Sequence, residues 1–258
     1  MDVVILCGGQ GARMREETEY RPKPMVEVGG RPLLWHIMRL FGHHHLERFV
    51  LCLGYKGNVI KDYFLDYEAH TRDCTVTIGG KRELQYHGPP EPFEFTVTLA
   101  DTGQDTLTGG RVKRIEPYVC GDTFLVTYGD GLCDVDIGSL IAFHRSHGRL
   151  ATVTAVQPES RFGLLSIDGD AQVTRFSEKP RVEGWVNAGF FVFDRRVFDY
   201  LDGGDLESLE SRPLERLAAD GQLMAYRHQG WFFAVDTYRD YLQVNDLWKS
   251  GRAPWKVW

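Results

Sequence analysis

Long apolar runs and an excess of positive charge are both missing from this sequence. No apolar run approaches the ~18 residues that a membrane-spanning helix needs, and the first has only four residues before Cys7. The formal net charge is −6 over 258 residues, which gives no indication of a nucleic-acid partner. We therefore expect no membrane span, no secretory leader and no nucleic-acid ligand. Any anionic ligand must be held by local groups of cations.

Paired cysteines are missing as well. The five cysteines are odd in number, form no Cys-x-x-Cys motif and mostly lie in apolar segments. This usage indicates reduced residues in or near the core and predicts a cytoplasmic protein. The spacing of nucleophilic and basic side chains suggests no activated nucleophile, so neither a Ser/His/Asp site nor a thiolate site fits well.

Two common glycine motifs for nucleotides are also absent. A dinucleotide fingerprint needs Gly-x-Gly-x-x-Gly, but from Gly9 and Gly11 the third position falls on Met14. A Walker loop needs Gly-Lys followed by Ser or Thr, and the chain has no such sequence. A ligand loop in this protein must therefore be of another type.

The beginning of the chain does carry a glycine-rich loop of another type. A short apolar run predicts a buried parallel strand that ends in a tight turn with glycines at 8, 9 and 11. Such glycines let backbone amides approach and surround an anion. Arg13 adds planar donors for phosphate oxygens, and Lys23 is a point charge between two prolines. These features favour a phosphate chain as ligand, with a plain strand-to-helix turn as the alternative.

Strand and helix patterns alternate through the first part of the chain. Buried strands are predicted at 3–7 and 49–53, and helices at 32–41 and 58–67. This order predicts an α/β fold with parallel pairing and right-handed crossovers. Residues 74–78 and 93–99 alternate like half-exposed strands, and we expect them to form an antiparallel excursion from the sheet.

The pattern resumes after residue 120 and then changes. Strands are predicted at 124–129 and 151–156, with a helix at 137–147 between them. From residue 157 the chain has the pattern of a smaller α+β half, without a linker long enough to mark a free domain. Its predicted elements are a hairpin at 162–167 and 172–176, strands at 186–193 and 229–236, short helices at 195–202 and 213–221, and a closing helix at 239–249.

Two acidic residues lie at the ends of predicted strands in separate parts of the chain. Asp130 is framed by glycines after the strand at 124–129, and Asp236 is the last residue of the predicted strand at 229–236. Open parallel sheets bind ligands at the carboxyl ends of their strands. Two carboxylates beside a phosphate-binding loop suit Mg²⁺, so the pattern favours phosphoryl or nucleotidyl transfer. For Asp130 the alternative is a turn or helix-cap aspartate, which Asp134 and Asp136 match better.

Three further features are candidates. Thr108-Gly109-Gly110-Arg111 is a second candidate ligand loop, with a solvated helix start as the alternative. Lys179 precedes a proline and adds a cation. The histidines at 43–45, 144 and 147 could suggest a metal, but we interpret them as residues of polar helix ends.

Taken together, these motifs resemble the sugar-1-phosphate nucleotidyltransferase family. Residues 6–14 and the Pro-Lys-Pro-Met sequence at 22–25 match the family as a whole. Further matches point to its subfamily that transfers cytidylyl groups to glucose 1-phosphate. They lie at 35–38, 54–57, 101–103, 108–111, 128–131, 161–163, 236–240 and 253–256, from end to end of the chain.

The resemblance implies a Rossmann-like, mixed but mostly parallel sheet flanked by helices, with a smaller α+β sugar-binding half. It implies one domain over 1–258, with 1–156 as the nucleotide-binding half and 157–258 as the sugar-phosphate-binding half. The implied reaction is Mg²⁺-dependent: CTP and α-D-glucose 1-phosphate give CDP-glucose and pyrophosphate. Another NTP, another sugar or cyclitol 1-phosphate, and a catalytically silent nucleotide-sugar-binding regulator remain alternatives. A homo-oligomer is also expected.

Residue roles carry over by position in the motifs. The implied catalytic residues are Arg13, Lys23, Asp130, Lys179 and Asp236, with Asp130 and Asp236 holding Mg²⁺. The nucleotide would contact Leu6, Gly8, Gly9, Gly11, Arg13, Thr108, Gly110, Arg111 and Gly129, with Arg111 on the cytosine. The sugar phosphate would contact Tyr128, Gly163, Glu178, Lys179, Asn187 and Gly189.

The sequence departs from the family pattern near the expected sugar pocket. Trp185 and Ala188 flank Asn187 where the subfamily tends to have a smaller residue and a glycine, and residues 233–235 replace Gln-Pro-Met. Ala12 and Cys7 are milder departures in the first loop. We therefore expect a sugar pocket of altered shape around Asn187.

Overall fold

The computed structural model describes residues 1–9, 11, 14, 18–81, 83–160, 162–181 and 183–258. Its strands are, in chain order, β1 (Asp2–Leu6), β2 (Glu27–Val28), β3 (Arg31–Pro32), β4 (Arg48–Leu53), β5 (Cys74–Thr77), β6 (Glu83–Tyr86), β7 (Thr96–Asp101), β8 (Thr123–Tyr128), β9 (Gly131–Cys133), β10 (Ala151–Val156), β11 (Leu164–Ile167), β12 (Val173–Ser177), β13 (Val186–Asp194), β14 (Leu223–Arg227) and β15 (Phe232–Ala234). The α-helices are α1 (Leu33–His43), α2 (Gly57–Leu65), α3 (Tyr67–Thr71), α4 (Thr108–Arg114), α5 (Ile137–His147), α6 (Arg212–Ala219) and α7 (Tyr238–Lys249).

A seven-stranded sheet forms the centre of the fold, in the order β14-β10-β13-β8-β1-β4-β7. Neighbours pair in parallel except at β13, which alone among the described strands runs against the rest of this sheet. The predicted mixed, mostly parallel α/β fold is confirmed.

The sheet is covered on both faces. Val3 and Ile5 of β1 belong to one apolar cluster, with α1 and the chain end, while Val4 and Leu6 belong to the other, with α4 and Phe198. All five residues of β1 are buried, and the last four form one apolar run, as expected of a central parallel strand. No helix within the described ranges is both long and apolar enough to cross a bilayer.

One strand prediction is wrong. The strand at 74–77 does pair antiparallel, but its partner is the unpredicted β6, and the predicted strand at 93–99 instead begins at Thr96 and lies parallel to β4 at the edge of the main sheet. Its side chains are mostly part-exposed because an edge strand has less cover. The alternation of polar and apolar residues therefore correctly predicted a half-exposed strand, but it does not show whether that strand pairs in parallel or antiparallel.

The second half of the chain contributes to the same sheet. β13 lies between β10 and β8, and β14 extends the sheet beyond β10. The predicted hairpin is present as β11 and β12, outside the main sheet. The last strand, β15, pairs with β9 in a separate two-stranded ribbon. This ribbon starts beside Asp130 and ends beside Asp236.

Helix ends follow the expected capping chemistry in α5 and α7. The Asp136 carboxylate accepts a hydrogen bond from Ser139 N at 2.6 Å, so Asp136 is a helix cap, and Gly148 ends α5 in the left-handed conformation. Thr237 and Asp240 form a capping box at the start of α7. The residue directly before that box is Asp236, so the cap stabilises the backbone next to this acid.

Cysteine and histidine positions refine two predictions. All five cysteines are free thiols; Cys7, Cys52 and Cys133 are buried, whereas Cys74 and Cys120 are exposed. His144 lies in the last turn of its helix as predicted, but this helix end is not polar surface there, because the ring is buried and lies 2.9 Å from Thr152 Oγ1 of β10. The helix pattern placed the residue in the last turn of α5 but did not reveal that this turn packs on the sheet.

His36 should make stability pH-dependent. Its Nδ1 accepts a hydrogen bond from Trp255, and its Nε2 donates to the Val28 carbonyl at 2.8 Å. The imidazole ring also packs against four tryptophan rings, those of Trp35, Trp248, Trp255 and Trp258. Burial lowers its pKa to about 4. Because the unfolded chain binds the proton near the ordinary pKa of ~6.5, stability should fall between pH 6.5 and 4, by roughly 3 kcal/mol.

Urea unfolding from pH 7.5 to 4.5 measures this effect, with His36→Gln as the comparison. We expect the variant to be less stable at neutral pH but to lose less stability on acidification. Parallel pH profiles for the two proteins would contradict the assignment to His36.

Candidate active site

A cavity of about 610 Å³ lies at the carboxyl ends of β1 and β8. Its wall includes many residues singled out in the sequence: Leu6, Gly8, Gly9, Gly11, Lys23, Thr108, Arg111, Tyr128, Gly129, Asp130 and Asp236. Gln104 to Leu107 also line it, and no motif pointed to them. The cavity is therefore at the edge of the sheet where parallel α/β folds bind ligands.

Lys23 lies between the two acids. Its Nζ is 2.6 Å from Asp130 Oδ2 and 2.6 Å from Asp236 Oδ1. Burial alone would lower the pKa of Lys23, but the two carboxylates outweigh it and raise the pKa above its ordinary value. The lysine therefore carries its charge, and its position at the start of a short 3-10 helix, Lys23–Met25, directs it into the cavity wall.

The ribbon of β9 and β15 brings the two acids together. Gly131 pairs with Ala234, and Val235 N donates to the Asp130 carbonyl at 3.0 Å. At the other end, the Asp134 carboxylate accepts from Trp231 N at 2.7 Å and lies 2.8 Å from His228 Nε2. Contacts at both ends hold the pairing register, and a slip of one residue would separate the carboxylates.

This pair of acids fits a divalent cation. Two carboxylates from distant parts of the chain converge on one positive charge at the wall of the cavity. Oxygen ligands of this kind are those that Mg²⁺ uses, usually one or two carboxylates together with substrate phosphates. Asp130 and Asp236 could therefore hold the ion beside a bound phosphate chain.

Arg111 has an unexpected environment. Its segment is not a loop but the helix α4, and its side chain is buried. Nη1 donates to Leu53 O, Thr102 Oγ1 and Gly103 O, and Nη2 donates to Gly8 O and Gln104 O, at 2.7 to 3.2 Å. A Cβ on Gly8 would lie 2.1 Å from the guanidinium carbon. Arg111 thus joins the first glycine loop to the 102–104 segment, and its predicted contact with a base stays a prediction.

The glycines of α4 serve backbone packing. A Cβ on Gly110 would lie 2.8 Å from the Gly204 carbonyl, and one on Gly109 would lie 2.9 Å from the Glu207 carbonyl. The amides of both glycines donate to Glu207 O. The start of α4 is therefore docked on the 204–209 segment, and Gly110 is not among the cavity-lining residues, unlike the nucleotide contact expected of it.

The predicted sugar residues fall into two groups. Tyr128 lines the cavity, Asn187 Nδ2 donates to its hydroxyl at 3.4 Å, and its ring packs on Gly189, where a Cβ would lie 2.1 Å from the ring. Gly189 also has a φ of 78°, so glycine is required there on two grounds. The second group lies at the ends of the hairpin of β11 and β12 and is not among the cavity-lining residues; it consists of Gly163, Glu178 and Lys179. Arg13 lies outside the described residues.

The departures from the family pattern lie mostly elsewhere than expected. Ala188 and Val235 are buried in the core and do not line the cavity. Trp185 packs against Arg227, whose guanidinium lies 5.5 Å from the ring centre. Ala188 of β13 and Val235, directly after β15, therefore contribute no side chain to the wall of this cavity, and the altered shape of the sugar pocket around Asn187 stays a prediction.

Glu210 is a residue that no sequence signal revealed. Its carboxylate accepts hydrogen bonds from Tyr128, Thr108 and Ser208, and the first two of these line the cavity. It lies in a polar segment without a motif, so only the fold brings it to the site.

Comparison with known proteins now decides the family. The model of the family described as "Nucleotidyl transferase" matches residues 2–252. The chain belongs to this family. It is 48% identical over 260 residues to a glucose-1-phosphate cytidylyltransferase of Salmonella typhi, and 45% identical over 258 residues to a probable glucose-1-phosphate cytidylyltransferase of Bacillus subtilis. Each alignment covers 100% of both chains.

Solved structures agree with this assignment. The crystal structure of HddC from Yersinia pseudotuberculosis superimposes with a TM-score of 0.70 at 25% identity, over 96% of this chain and 99% of that one. A UDP-glucose pyrophosphorylase complexed with UDP-glucose has a TM-score of 0.68 at 15% identity, which supports the fold alone. The resemblance drawn from the motifs is confirmed, and the chain is a nucleotidyltransferase.

Proposed function

We propose that this enzyme transfers a cytidylyl group from CTP to α-D-glucose 1-phosphate, with release of pyrophosphate, and that it requires Mg²⁺. The observation that carries the proposal is that Asp130 and Asp236 both contact Lys23 at the wall of a cavity that the first glycine loop also lines. The two cytidylyltransferase relatives, aligned over their full length, support CTP and glucose 1-phosphate as substrates.

The mechanism needs positioning and charge neutralisation. A phosphate oxygen of the sugar phosphate attacks the α-phosphorus of CTP in line, the bond to the β-phosphate breaks, and pyrophosphate leaves with its electron pair. The amides of the glycine loop and the ammonium of Lys23 face the phosphate chain and offset the charge that develops on it. Bound Mg²⁺, held by Asp130 and Asp236, would supply further charge stabilisation. No covalent enzyme intermediate is required.

A substrate panel tests the proposal. The protein is incubated with Mg²⁺, each of the common NTPs and the 1-phosphates of glucose, galactose, mannose and N-acetylglucosamine, and pyrophosphate release is measured with and without EDTA. We expect the highest kcat/KM for CTP with glucose 1-phosphate and no turnover with EDTA. A higher kcat/KM with another sugar 1-phosphate would overturn glucose 1-phosphate as the substrate but would leave the class of reaction unchanged. Absence of turnover in every combination, with nucleotide binding retained, would favour the silent regulator.

Lys23 should compete with metal for the two acids. Its ammonium contacts one oxygen of each carboxylate at 2.6 Å, so a divalent ion that binds the same carboxylates competes with it for their negative charge. Lys23→Met should therefore raise the affinity of the free enzyme for Mn²⁺ alone, by ~10-fold or more, because the carboxylates lose their internal counter-ion. The same variant should bind CTP more weakly, since a phosphate contact is lost.

Titration calorimetry with Mn²⁺, and separately with CTP, measures both effects. Lys56→Met serves as the control, because Lys56 donates to the Glu19 carbonyl and is not part of the cavity lining. Weaker Mn²⁺ binding by the Lys23 variant would refute the competition.

We also propose that the protein is a homo-oligomer. The hairpin of β11 and β12 exposes a group of apolar side chains to solvent, those of Phe162, Leu165, Ile167, Val173 and Phe176. Contiguous apolar surface of this kind is typical of contact sites between protein chains. Light scattering coupled to size exclusion would return a monomer mass if the proposal is wrong, and Phe176→Asp should weaken assembly if it is right.

A further inference from the structure

The Glu210 carboxylate links two walls of the active-site cavity. Its Oε1 accepts a hydrogen bond from the Tyr128 hydroxyl, and its Oε2 accepts one from Thr108 Oγ1 at 2.6 Å. Ser208 Oγ also donates to Oε2 at 2.6 Å, but Ser208 does not line the cavity. Tyr128 belongs to the expected sugar side and Thr108 to the expected nucleotide side, so one carboxylate contacts both.

The charge on Glu210 determines which way these hydrogen bonds run. Partial burial raises the pKa of Glu210, but hydrogen bonds from Ser208, Thr108 and Tyr128 outweigh it and keep the pKa below its usual value. An ionised carboxylate has no proton to donate. Each hydroxyl must therefore point its hydrogen at Glu210 and present only its oxygen lone pairs to other groups.

The surrounding structure restrains both hydroxyls. Tyr128 is held by its ring packing on Gly189 and by the Asn187 amide, which donates to its oxygen at 3.4 Å. Thr108 Oγ1 accepts from Leu209 N at 2.9 Å. Neither hydroxyl can turn its hydrogen toward the cavity without breaking its bond to Glu210. The cavity thus presents two acceptors at these positions.

We propose that Glu210 is a positioning residue that sets Tyr128 and Thr108 as hydrogen-bond acceptors for substrate donors. At Tyr128 the donor would be a sugar hydroxyl, and at Thr108 it would be a hydroxyl or amino group of the nucleotide. The proposal rests on the nucleotidyl transfer proposed above. It makes the chain select for ligands that donate at both points, because an acceptor placed there would face an oxygen lone pair.

Glu210→Gln tests this directly, because glutamine has the same shape but can donate as well as accept. Because glutamine keeps one acceptor oxygen, we expect KM to rise about 5- to 15-fold for the substrate whose hydroxyl faces the new amide nitrogen, the loss of roughly one hydrogen bond, with kcat changed less than 3-fold. Ser208→Ala is the matched control: it removes a bond to the same carboxylate without changing the cavity wall, and KM should change less than 2-fold.

Double-variant cycles separate positioning from general loosening. In each background the rise in KM should disappear for the substrate that meets the replaced hydroxyl, which is the sugar phosphate for Tyr128→Phe and CTP for Thr108→Val. Independent, multiplicative effects in both cycles, or an equal effect of Ser208→Ala, would overturn the proposal.

A readout without turnover distinguishes this proposal from the proposed reaction. Titration calorimetry measures the binding of CTP alone and of glucose 1-phosphate alone to the free protein. In Glu210→Gln the Kd should rise about 5- to 15-fold for the ligand whose hydroxyl faces the new amide nitrogen, and Ser208→Ala should leave both Kd values within 2-fold. If wild type binds both ligands but turns over neither, the proposed reaction fails while the Kd values still test Glu210, and unchanged Kd values in Glu210→Gln would overturn its role.

Discussion

Asp130→Asn and Asp236→Asn should each lower turnover by at least ~10²-fold while leaving the fold intact. Each acid contributes one of the two carboxylates that converge on Lys23, and an amide in its place cannot neutralise a cation. A loss of this size is typical when charge stabilisation in the transition state is removed. The measurement is pyrophosphate release at saturating substrates, together with thermal unfolding.

Asp62→Asn is a suitable control for this prediction. Asp62 is an exposed residue of α2 and does not line the cavity, so the same change of side chain should leave turnover within 2-fold. Near-normal turnover in a folded Asp130→Asn protein would remove this residue from the metal site. Loss of folding in both variants would instead indicate that the acids serve mainly to pair with Lys23.

Arg111→Ala should weaken the preference for CTP over UTP and dTTP by roughly 1 to 3 kcal/mol, as expected when a polar recognition site loses a buried partner. The structure adds a second expected effect. The guanidinium holds the Gly8, Gly103 and Gln104 carbonyls, so the variant should also bind every NTP less tightly and unfold at lower temperature. Measurements of kcat/KM for the three nucleotides and of Tm check both effects.

Arg114→Ala provides the comparison for Arg111. Arg114 lies in the same helix but pairs with Asp205 on the surface, so its loss should change neither base preference nor stability by much. Arg111→Lys distinguishes two roles, because lysine keeps the charge but cannot reach five acceptors at once. Base preference unchanged in Arg111→Ala would contradict any role of this residue in nucleotide selection.

The position of Lys23 explains why the acids could be found separately but not as a unit. In the sequence, each acid is recognised by its position at the end of a strand, and the lysine by its position between two prolines. Both are local patterns. Their contact joins residues 107 and 213 positions apart, through the register of a ribbon only three residues long on each side. Hydrophobic periodicity does not reveal such a register, because each strand is only three residues long.

The error at β7 and the environment of α4 have the same origin. The alternation of polar and apolar residues at 93–99 correctly indicated a half-exposed strand. Its parallel pairing with β4 depends on contacts between distant segments, which the alternation does not reveal. The glycines at 109 and 110 suggested a ligand loop, whereas the fold uses them for close approach to the 204–209 backbone. A glycine indicates that another group approaches the backbone closely, and the sequence alone does not show whether that group is a ligand or another backbone segment.

The sequence by itself determined the α/β class, the buried first strand with its glycine loop, the family resemblance and the two acids at strand ends. These follow from periodicity, local backbone chemistry and motifs, all of which act over a few residues. Only the tertiary structure decided that Lys23 lies between the acids, that Arg111 joins the glycine loop to the 102–104 segment and that Glu210 contacts both walls of the cavity. Those contacts depend on strand register and close packing between distant segments, which no local pattern encodes.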